Sequence, residues 1–324
     1  MSIVAPKLQK GDKVMIVAPA RGLKLLGADC RKIAEERLKN LGLKVVFADN
    51  TTDENFDLLG SASVEKRAAD INQAFADSSV KAVLTVIGGF NSNEILKYID
   101  YEAIKNNPKI FMGFSDITAL HAAIYAQTGL VTYYGPHYSS FGMLKGFGYT
   151  LENAINMLFE NGETELLPSK EWSDDAWYRD QENREFIKNE GWWHIQDGET
   201  EGTIIGGNLC TFVLELGTPY RPKFEKNTIL FIEDDEMSDL PTFDRNLQAL
   251  INQEDFKNVK GLVIGRFQKN SKITRESLEF ILNKKELKNM PIIANIDMGH
   301  TTPIATIPLG STARLENGRI FIKG

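Results

Sequence analysis

The first 135 residues alternate short, continuously apolar runs with segments of helical periodicity. Strands that are apolar along their whole length are typical of a parallel sheet covered on both faces by helices. Ligands bind such sheets at the carboxyl ends of the strands. We therefore predict an α/β fold with an N-terminal parallel-sheet domain of the flavodoxin or Rossmann type. The predicted strands are residues 14–18, 44–48, 80–87, 110–113 and 130–134.

This pattern stops after the first 162 residues. Residues 163–202 are polar and aromatic, and loops of this length are usually functional or disordered. Because they hold all four tryptophans of the chain, we expect a linker with an active-site loop rather than disorder. Strands and helices then alternate again, with a hairpin expected at Asn317-Gly318. We predict an N-terminal domain at 1–162 and a mixed β/α domain at 203–324, with the active site between them.

The composition excludes several classes of function. The 324 residues carry 37 basic and 44 acidic side chains, a net charge of -7, so we expect no nucleic-acid partner. No apolar run has the length of a signal peptide or a membrane span, so we expect a cytoplasmic protein without a membrane partner. Cys30 and Cys210 fit a reducing compartment, and neither belongs to a CxxC motif of a zinc or redox site.

A serine lies where one of the predicted strands meets a helix. The apolar run 110–113 leads into Phe114 and Ser115, and a helix begins directly afterwards. This arrangement presents the serine at the sheet edge, next to the unpaired N–H groups of the first helical turn. The full nucleophile motif is Gly-x-Ser-x-Gly, and Ile117 replaces its last glycine. Ser115 is therefore a candidate nucleophile, with a simple helix cap as the alternative.

A serine nucleophile needs a base with a near-neutral pKa, and the chain has four histidines. His121 lies in the helix after Ser115, and His137 lies in a loop after a Gly-Pro pair. His194 follows two tryptophans. His300 lies just beyond the end of a predicted strand, which makes it the best-placed candidate.

The acid that orients the base should be a carboxylate, and Glu233 ends an otherwise apolar strand. Asp234, Asp235 and Glu236 follow it and read as a solvated acidic loop. A metal site is the alternative for this run, but no second cluster of hard ligands accompanies it. We expect neither a metal nor an organic cofactor.

The turn Gly88-Gly89 closes the third predicted strand. Glycines at this position let the backbone approach a ligand closely. The alternative is an ordinary tight turn between strand and helix. The segment is not a phosphate-binding P-loop, because the Lys-Ser/Thr ending is absent.

Taken together, these motifs resemble the LD-carboxypeptidase family of serine peptidases, which includes the microcin C immunity peptidases. The resemblance covers nearly the whole chain, and the motifs occur in the family's order. They are Ala18-Pro19-Ala20, Ile87-Gly88-Gly89-Phe90-Asn91-Ser92-Asn93, Gly113 to His121, Gly135-Pro136, Gly206-Gly207-Asn208-Leu209, Phe231-Ile232-Glu233-Asp234 and Gly299-His300.

The resemblance implies a Ser-Glu-His triad at Ser115, Glu233 and His300. It implies an oxyanion hole made by the backbone N–H groups of Gly89 and Asp116. It also implies a homodimer and a site between two domains, with no cofactor. A binding protein without turnover and an esterase of the α/β-hydrolase type are the alternatives from other classes.

The resemblance leaves two substrate classes open. LD-carboxypeptidases remove the terminal D-alanine of murein tetrapeptides during cell-wall recycling, whereas the immunity branch cleaves the amide between an aminoacyl or peptidyl group and a modified nucleotide. The turn after Gly89 and the tryptophan-bearing segment resemble the immunity branch, which we favour. The substrate-binding residues implied are Phe90, Asn91, Asn93, Trp172, Trp177 and Asn208.

Two observations bear on that choice. A tryptophan in a loop is a good platform for a nucleobase, although Trp172 and Trp177 also suit an ordinary apolar interface. Against a nucleotide, the immunity branch is expected to have a basic residue soon after Glu233. Here the next cation is Arg245.

Overall fold

A computed structural model describes residues 2–52 and 56–324. The strands are β1 Lys13–Val17, β2 Lys44–Phe47, β3 Val80–Thr85, β4 Ile110–Gly113, β5 Thr132–Tyr134, β6 Glu163–Leu166, β7 Glu171–Trp172, β8 Ile187–Lys188, β9 Trp193–Gln196, β10 Thr200–Asn208, β11 Thr228–Glu233, β12 Val259–Gly265, β13 Ile292–Ile296, β14 Ile307–Leu309, β15 Thr312–Glu316 and β16 Arg319–Lys323. The α-helices are α1 Ala28–Asn40, α2 Val64–Ala76, α3 Tyr101–Asn106, α4 Thr118–Thr128, α5 Gly148–Phe159, α6 Leu209–Phe212, α7 Leu240–Ile251 and α8 Arg275–Leu282.

Two sheets organise the molecule. The N-terminal sheet has the order β14-β5-β4-β3-β1-β2, and all its pairs are parallel except β14 with β5. The C-terminal sheet has the order β6-β16-β15-β10-β11-β12-β13-β9. Its centre, from β10 to β13, is parallel, and antiparallel strands flank that centre on both sides. The predicted α/β class, with a parallel N-terminal sheet and a mixed C-terminal sheet, is confirmed.

The apolar runs become strands because their side chains are buried. Four of the five residues of β1 and all four of β4 are buried, and so are all six of β11. Such strands are stable only when helices cover both faces of the sheet. Their carboxyl ends carry the turns after β3 and β4, and in the second sheet those after β11 and β13.

Each of the two sheets includes at least one strand from outside the predicted domain to which it belongs. The C-terminal strand β14 pairs with β5 of the N-terminal sheet, so a segment from beyond residue 203 completes that sheet. Strands β6 and β9, from the predicted linker, join the C-terminal sheet. The domain boundaries at 162 and 203 stay a prediction. In the structure, strands β6, β9 and β14 pair with strands on the other side of these boundaries.

The C-terminal hairpin forms as expected. Strands β15 and β16 pair around Asn317 and Gly318, both of which have positive φ angles, 52° and 75°. Asparagine and glycine tolerate this left-handed conformation better than other residues. Among the described residues, no helix is both long enough and apolar enough to cross a membrane.

Candidate active site

Ser115 lies in the sharp turn between β4 and α4. Its φ is 63°, in the left-handed region that residues other than glycine seldom adopt. Holding a residue there costs about 1–3 kcal/mol, and such strain clusters at functional sites. The turn directs the Ser115 hydroxyl at His300, with 2.9 Å between Oγ and Nε2. The missing glycine at Ile117 has not prevented this geometry.

The other ring nitrogen of His300 faces the acid. Nδ1 of His300 lies 2.8 Å from Oε2 of Glu233, whose side chain is fully buried at the end of β11. A carboxylate only accepts hydrogen bonds, so Nδ1 carries a proton, and in the neutral imidazole Nε2 is free to accept one from Ser115. A Cβ at Gly299 would lie 2.1 Å from Oε2 of Glu233, so only a glycine lets the acid reach the imidazole.

Two further donors hold the second oxygen of Glu233. Asn208 Nδ2 donates to Oε1 at 3.1 Å, and the Tyr134 hydroxyl donates to the same oxygen. Burial alone would raise the pKa of Glu233, but the charge and hydrogen bond of His300, with those two donors, hold it below its usual value. Glu233 is therefore a buried, ionised and fully oriented carboxylate.

The same contacts change the basicity of His300. Burial would lower its pKa, but the charge and hydrogen bond of Glu233 and the charges of Asp235 and Asp234 raise it to about 9. The imidazolium is thus the favoured form at neutral pH. This is the charge state that an acid–base histidine reaches after taking a proton from its nucleophile.

The other three histidines are placed differently. His121 is buried in α4, where its Nε2 lies 2.9 Å from the carbonyl oxygen of Gly113, and burial lowers its pKa to about 4. His137 is buried 4.3 Å from the ring of Phe114, centre to centre. His194 is exposed on β9. Of the four, the structure gives only His300 a hydrogen bond to Ser115.

The glycine turn after β3 faces the Ser115 hydroxyl. A Cβ at Gly88 would lie 3.2 Å from Oγ of Ser115, and a Cβ at Gly89 would lie 2.9 Å from that of Ala20. Only glycines allow this close approach. The backbone N–H groups of Gly89 and Asp116 have no acceptor among the described residues, whereas the N–H of Ser115 donates to Tyr134 Oη at 3.0 Å. The N–H groups of Gly89 and Asp116 stay the predicted oxyanion donors, and Gly89 lies in the lining of the cleft that also contains Ser115.

The side chain of Asp116 has a separate task. Its carboxylate accepts the N–H of Ser92 at 3.0 Å, and the Ser92 hydroxyl donates to the carbonyl oxygen of Asp116 at 2.6 Å. This reciprocal pair fixes the turn after β3 against the first turn of α4.

A cleft of about 570 Å³ opens above Ser115 and His300. Apolar and acidic side chains form its rim, and its cationic lining residues are Arg21 and Arg179. The guanidinium of Arg21 lies 5.1 Å from the centre of the Phe90 ring, and no described carboxylate pairs with it. The exposed apolar side chains of the rim are Phe90, Tyr178 and Met237, beside the half-buried Trp177.

The predicted substrate-binding residues are divided by the structure. Phe90 and Trp177 line the cleft. Trp172 lies outside its lining, with the guanidinium of Arg266 5.2 Å from the ring centre and the ammonium of Lys269 5.8 Å from it. Trp172 therefore packs against two cations outside the cleft.

The three asparagines do not line the cleft either. Asn91 is buried, and its side-chain oxygen accepts from the Ser61 hydroxyl at 3.0 Å. Asn93 is exposed on the 3₁₀ turn after β3. Asn208 lies behind Glu233, where it orients the acid instead of facing the solvent.

Cys210 lies beside the acidic run after Glu233, a contact that the sequence did not indicate. One potential metal-ligand atom of each of Cys210, Asp234 and Asp235 lies within 4.8 Å of the other two. Among the described residues, no other group of three such side chains meets this distance. Burial, with the charge of nearby carboxylates, raises the pKa of the Cys210 thiol, so the thiol is protonated. Asp235 and Glu236 line the cleft, which makes this wall acidic.

Sequence reasoning missed three residues of this site. Arg21 directly follows the motif Ala18-Pro19-Ala20, Tyr134 directly precedes Gly135-Pro136, and Tyr178 directly follows Trp177. The only available signals were these positions, since Tyr134 ends a predicted strand, Arg21 follows one, and Tyr178 lies in the predicted active-site loop.

Comparison with protein families agrees with this geometry. The family model described as the LD-carboxypeptidase N-terminal domain matches residues 14–135, and the LD-carboxypeptidase C-terminal domain matches residues 201–315. The chain belongs to the LD-carboxypeptidase family. It is therefore a hydrolase, and the resemblance seen in its motifs is confirmed.

Relatives extend over nearly the whole chain. YocD of Bacillus subtilis, named as a candidate carboxypeptidase, is 51% identical over 96% of this chain and 95% of its own. The microcin C7 self-immunity protein MccF of Escherichia coli is 33% identical over 85% of this chain and 82% of its own. A B. subtilis protein named for murein peptide carboxypeptidase activity is 32% identical over 95% of this chain and 90% of its own.

Solved structures share the fold. An MccF-like protein from Bacillus anthracis has a TM-score of 0.96 and 47% identity, covering 99% of both chains. MccF in complex with glutamyl sulfamoyl guanosine has a TM-score of 0.89 and 30% identity, covering 99% of this chain and 98% of that one. MccF has also been solved with aspartyl sulfamoyl adenosine.

Proposed function

We propose that this hydrolase is a serine amidase whose triad is Ser115, His300 and Glu233. One observation carries the proposal: a continuous hydrogen-bonded chain runs from the Ser115 hydroxyl through His300 to Glu233 at the floor of an open cleft. A nucleophile, a base and an orienting acid in this relation are the requirements of covalent acyl transfer.

The chemistry follows from the atoms in contact. Oγ of Ser115 attacks the carbonyl carbon of an amide while Nε2 of His300 takes the hydroxyl proton. Glu233 stabilises the imidazolium, which then gives the proton to the leaving nitrogen as the C–N bond breaks. Water attacks the resulting ester, again deprotonated by His300, and releases the acid and the free serine.

The developing oxyanion is stabilised by the N–H groups of Gly89 and Asp116 in this proposal. Neither group has a described acceptor, and the Asp116–Ser92 pair joins the turn after β3 to the first turn of α4. Each such donor is typically worth about 3 kcal/mol in the transition state.

For the substrate, we favour the amide of an aminoacyl or peptidyl nucleotide. Phe90, Trp177 and Tyr178 give the rim flat aromatic faces on which a base can stack. Arg21 lines the cleft and supplies a cation for an anionic group of the substrate. The sequence led us to expect this cation soon after Glu233, but Arg245, the next cation along the chain, does not line the cleft. The relative MccF is known in complex with two aminoacyl sulfamoyl nucleosides.

Removal of D-alanine from a murein tetrapeptide is the second candidate. The acidic wall formed by Asp235 and Glu236 counts against a nucleotide with a phosphate, because carboxylates repel that group. A relative named for murein peptide carboxypeptidase activity supports the same class.

Product analysis by mass spectrometry separates the two substrates. Wild type and Ser115→Ala each receive a murein tetrapeptide and an aminoacyl sulfamoyl adenosine together. We expect wild type alone to release the amino acid and sulfamoyl adenosine. Release of D-alanine instead identifies the recycling reaction, and equal products from the variant would contradict the triad.

We also propose that the enzyme acts as a homodimer in the cytoplasm, as its family resemblance implies. Light scattering on a size-exclusion column measures the first property. A mass of one 36.3 kDa chain would contradict it.

A further inference from the structure

Tyr134 connects the two halves of the site. It is the last residue of β5 in the N-terminal sheet, and its side chain is buried. Its hydroxyl accepts the backbone N–H of Ser115 at 3.0 Å and donates to Oε1 of Glu233, 99 residues away in the chain. A single phenol thus contacts both the backbone of the candidate nucleophile and the candidate acid.

The direction of these two hydrogen bonds is fixed by chemistry. A backbone N–H only donates, and an ionised carboxylate only accepts, so the hydroxyl must accept from Ser115 and donate to Glu233. Burial, with the charge of Glu233, raises the pKa of Tyr134 well above its ordinary value, so the phenol keeps its proton. The Tyr134 hydroxyl therefore forms a relay of two hydrogen bonds, in which it accepts from Ser115 and donates to Glu233.

The two ends of this relay contact the backbone of Ser115 and the carboxylate of Glu233. Ser115 has a φ of 63°, and its N–H, once turned toward Tyr134, is not available to the oxyanion. At the other end, the phenol withdraws negative charge from the carboxylate that faces His300. The hydroxyl therefore affects both the shape of the nucleophile turn and the charge on the acid.

We propose that Tyr134 is a positioning residue that couples the Ser115 turn to the Glu233 carboxylate across the two sheets and thereby sets the reactivity of Ser115. The inference rests on the proposed function, because it assigns Tyr134 a task only if Ser115 is the nucleophile. Other ionisable side chains lie near Glu233 and His300 and contribute to the electrostatic potential there. They are Asp234, Asp235, Cys210, His121 and His137.

The neighbouring residue provides a matched control. Tyr133 lies one position earlier on β5, and it too is fully buried. Its hydroxyl has no hydrogen-bond partner among the described residues. Tyr133→Phe and Tyr134→Phe remove the same atom from adjacent buried sites, but only the second one breaks the relay.

The test measures the rate at which a fluorophosphonate modifies Ser115 between pH 6 and 10. This reagent needs an activated serine but no knowledge of the natural substrate. For Tyr134→Phe we expect a rate about 10- to 100-fold lower at pH 7, because a hydrogen bond to a charged group is lost. The apparent pKa of the profile should rise, since a less neutralised Glu233 holds the proton of His300 more tightly.

A second variant tests the same idea without removing the hydroxyl. Replacing Tyr134 by 3-fluorotyrosine keeps both contacts, so it does not depend on tolerance of a missing hydroxyl. Its more acidic phenol withdraws more charge from Glu233, and the apparent pKa should fall. Tyr133→Phe should match wild type in rate and profile.

The outcomes separate the two proposals. A Tyr134→Phe rate within about twofold of wild type, or an unchanged apparent pKa in both Tyr134 variants, overturns the positioning role. If wild-type Ser115 is not modified at all, the proposed triad fails, and the role of Tyr134 fails with it. Ser115→Ala controls for labelling elsewhere.

Discussion

On the floor of the cleft, Ser115, His300 and Glu233 are joined to one another and to Tyr134 and Asn208 by hydrogen bonds. At the rim, the side chains stand in solvent: Phe90 is 54% exposed, Tyr178 is 67% and Met237 is 71%, whereas Glu233 is fully buried. The floor comes from strand ends of both sheets, and most of the rim comes from loops.

This difference suggests a division of labour. A network in which every polar atom has a partner holds its geometry within the limits that bond making requires. An exposed apolar rim tolerates change and suits contact with a variable part of a ligand. We therefore expect changes at the floor to reduce kcat and changes at the rim to alter KM, and the predictions below test that distinction.

The largest effect is expected for Ser115→Ala. Loss of the nucleophile should lower kcat roughly 10⁴- to 10⁶-fold, because triad residues act as a unit. The substitution removes a single hydroxyl group, so the midpoint of thermal unfolding should stay within a few degrees of wild type. Hydrolysis assays with thermal melts measure both, and more than about 1% residual activity would remove Ser115 from the mechanism.

Glu233→Gln should follow, with kcat about 10³- to 10⁴-fold lower. The neutral amide no longer stabilises the imidazolium and does not hold Nδ1 protonated. Glu236→Gln is the matched control, since it changes an exposed acid of the same run at the rim. Steady-state kinetics should show the control within about threefold of wild type; equal losses in the two variants would erase the distinction between floor and rim.

The pH profile should show a smaller effect, about 50-fold between pH 7 and 9. In the proposed mechanism the neutral form of His300 is the base, and the pKa of His300 is raised to about 9. Each unit of pH below that value thus lowers kcat/KM about tenfold. Assays from pH 6 to 10, with circular dichroism to follow folding, check this, and a plateau already reached at pH 7 would be inconsistent with it.

The same raised pKa affects stability. Protonated His300 is favoured by its pairing with Glu233 in the folded state, so that contribution is fully present below the ordinary value of 6.5 and is lost as the pH rises through about 9. The enzyme is therefore expected to become more active and less stable over one pH range.

The smallest effect is expected at the rim. Trp177→Leu should raise KM for a nucleotide-bearing substrate roughly 5- to 100-fold, with little change in kcat, because a stacked base is worth about 1–3 kcal/mol. Trp172→Leu is the control, since Trp172 packs beneath Arg266 outside the cleft. The idea of a binding rim is sunk if the two variants raise KM equally, or if Trp177→Leu lowers kcat alone.

Much of the fold and the floor followed from the sequence. Apolar runs of strand length specified the parallel sheets, and the strand-to-helix turn pointed to Ser115 even with Ile117 in place of a glycine. Glu233 and His300 became candidates because Glu233 ends a strand and His300 lies just beyond one, where parallel sheets bring side chains together.

Other features depend on tertiary contacts that no local pattern marks. Strand β14 is only three residues long, and its pairing with β5 joins segments about 170 positions apart. Trp172 and Trp177 lie in the same polar segment, yet only one lines the cleft. Nothing around Tyr134 indicates that its hydroxyl meets a carboxylate 99 residues away.

Peptide mapping after inactivation tests the central assignment most directly. Wild type is titrated with a fluorophosphonate until hydrolysis of the substrate stops, and the modified peptide is then located by mass spectrometry. The account predicts one adduct per chain, on Ser115, with activity lost in proportion to labelling. Full activity with Ser115 modified, or inactivation through an adduct on another residue, would contradict it.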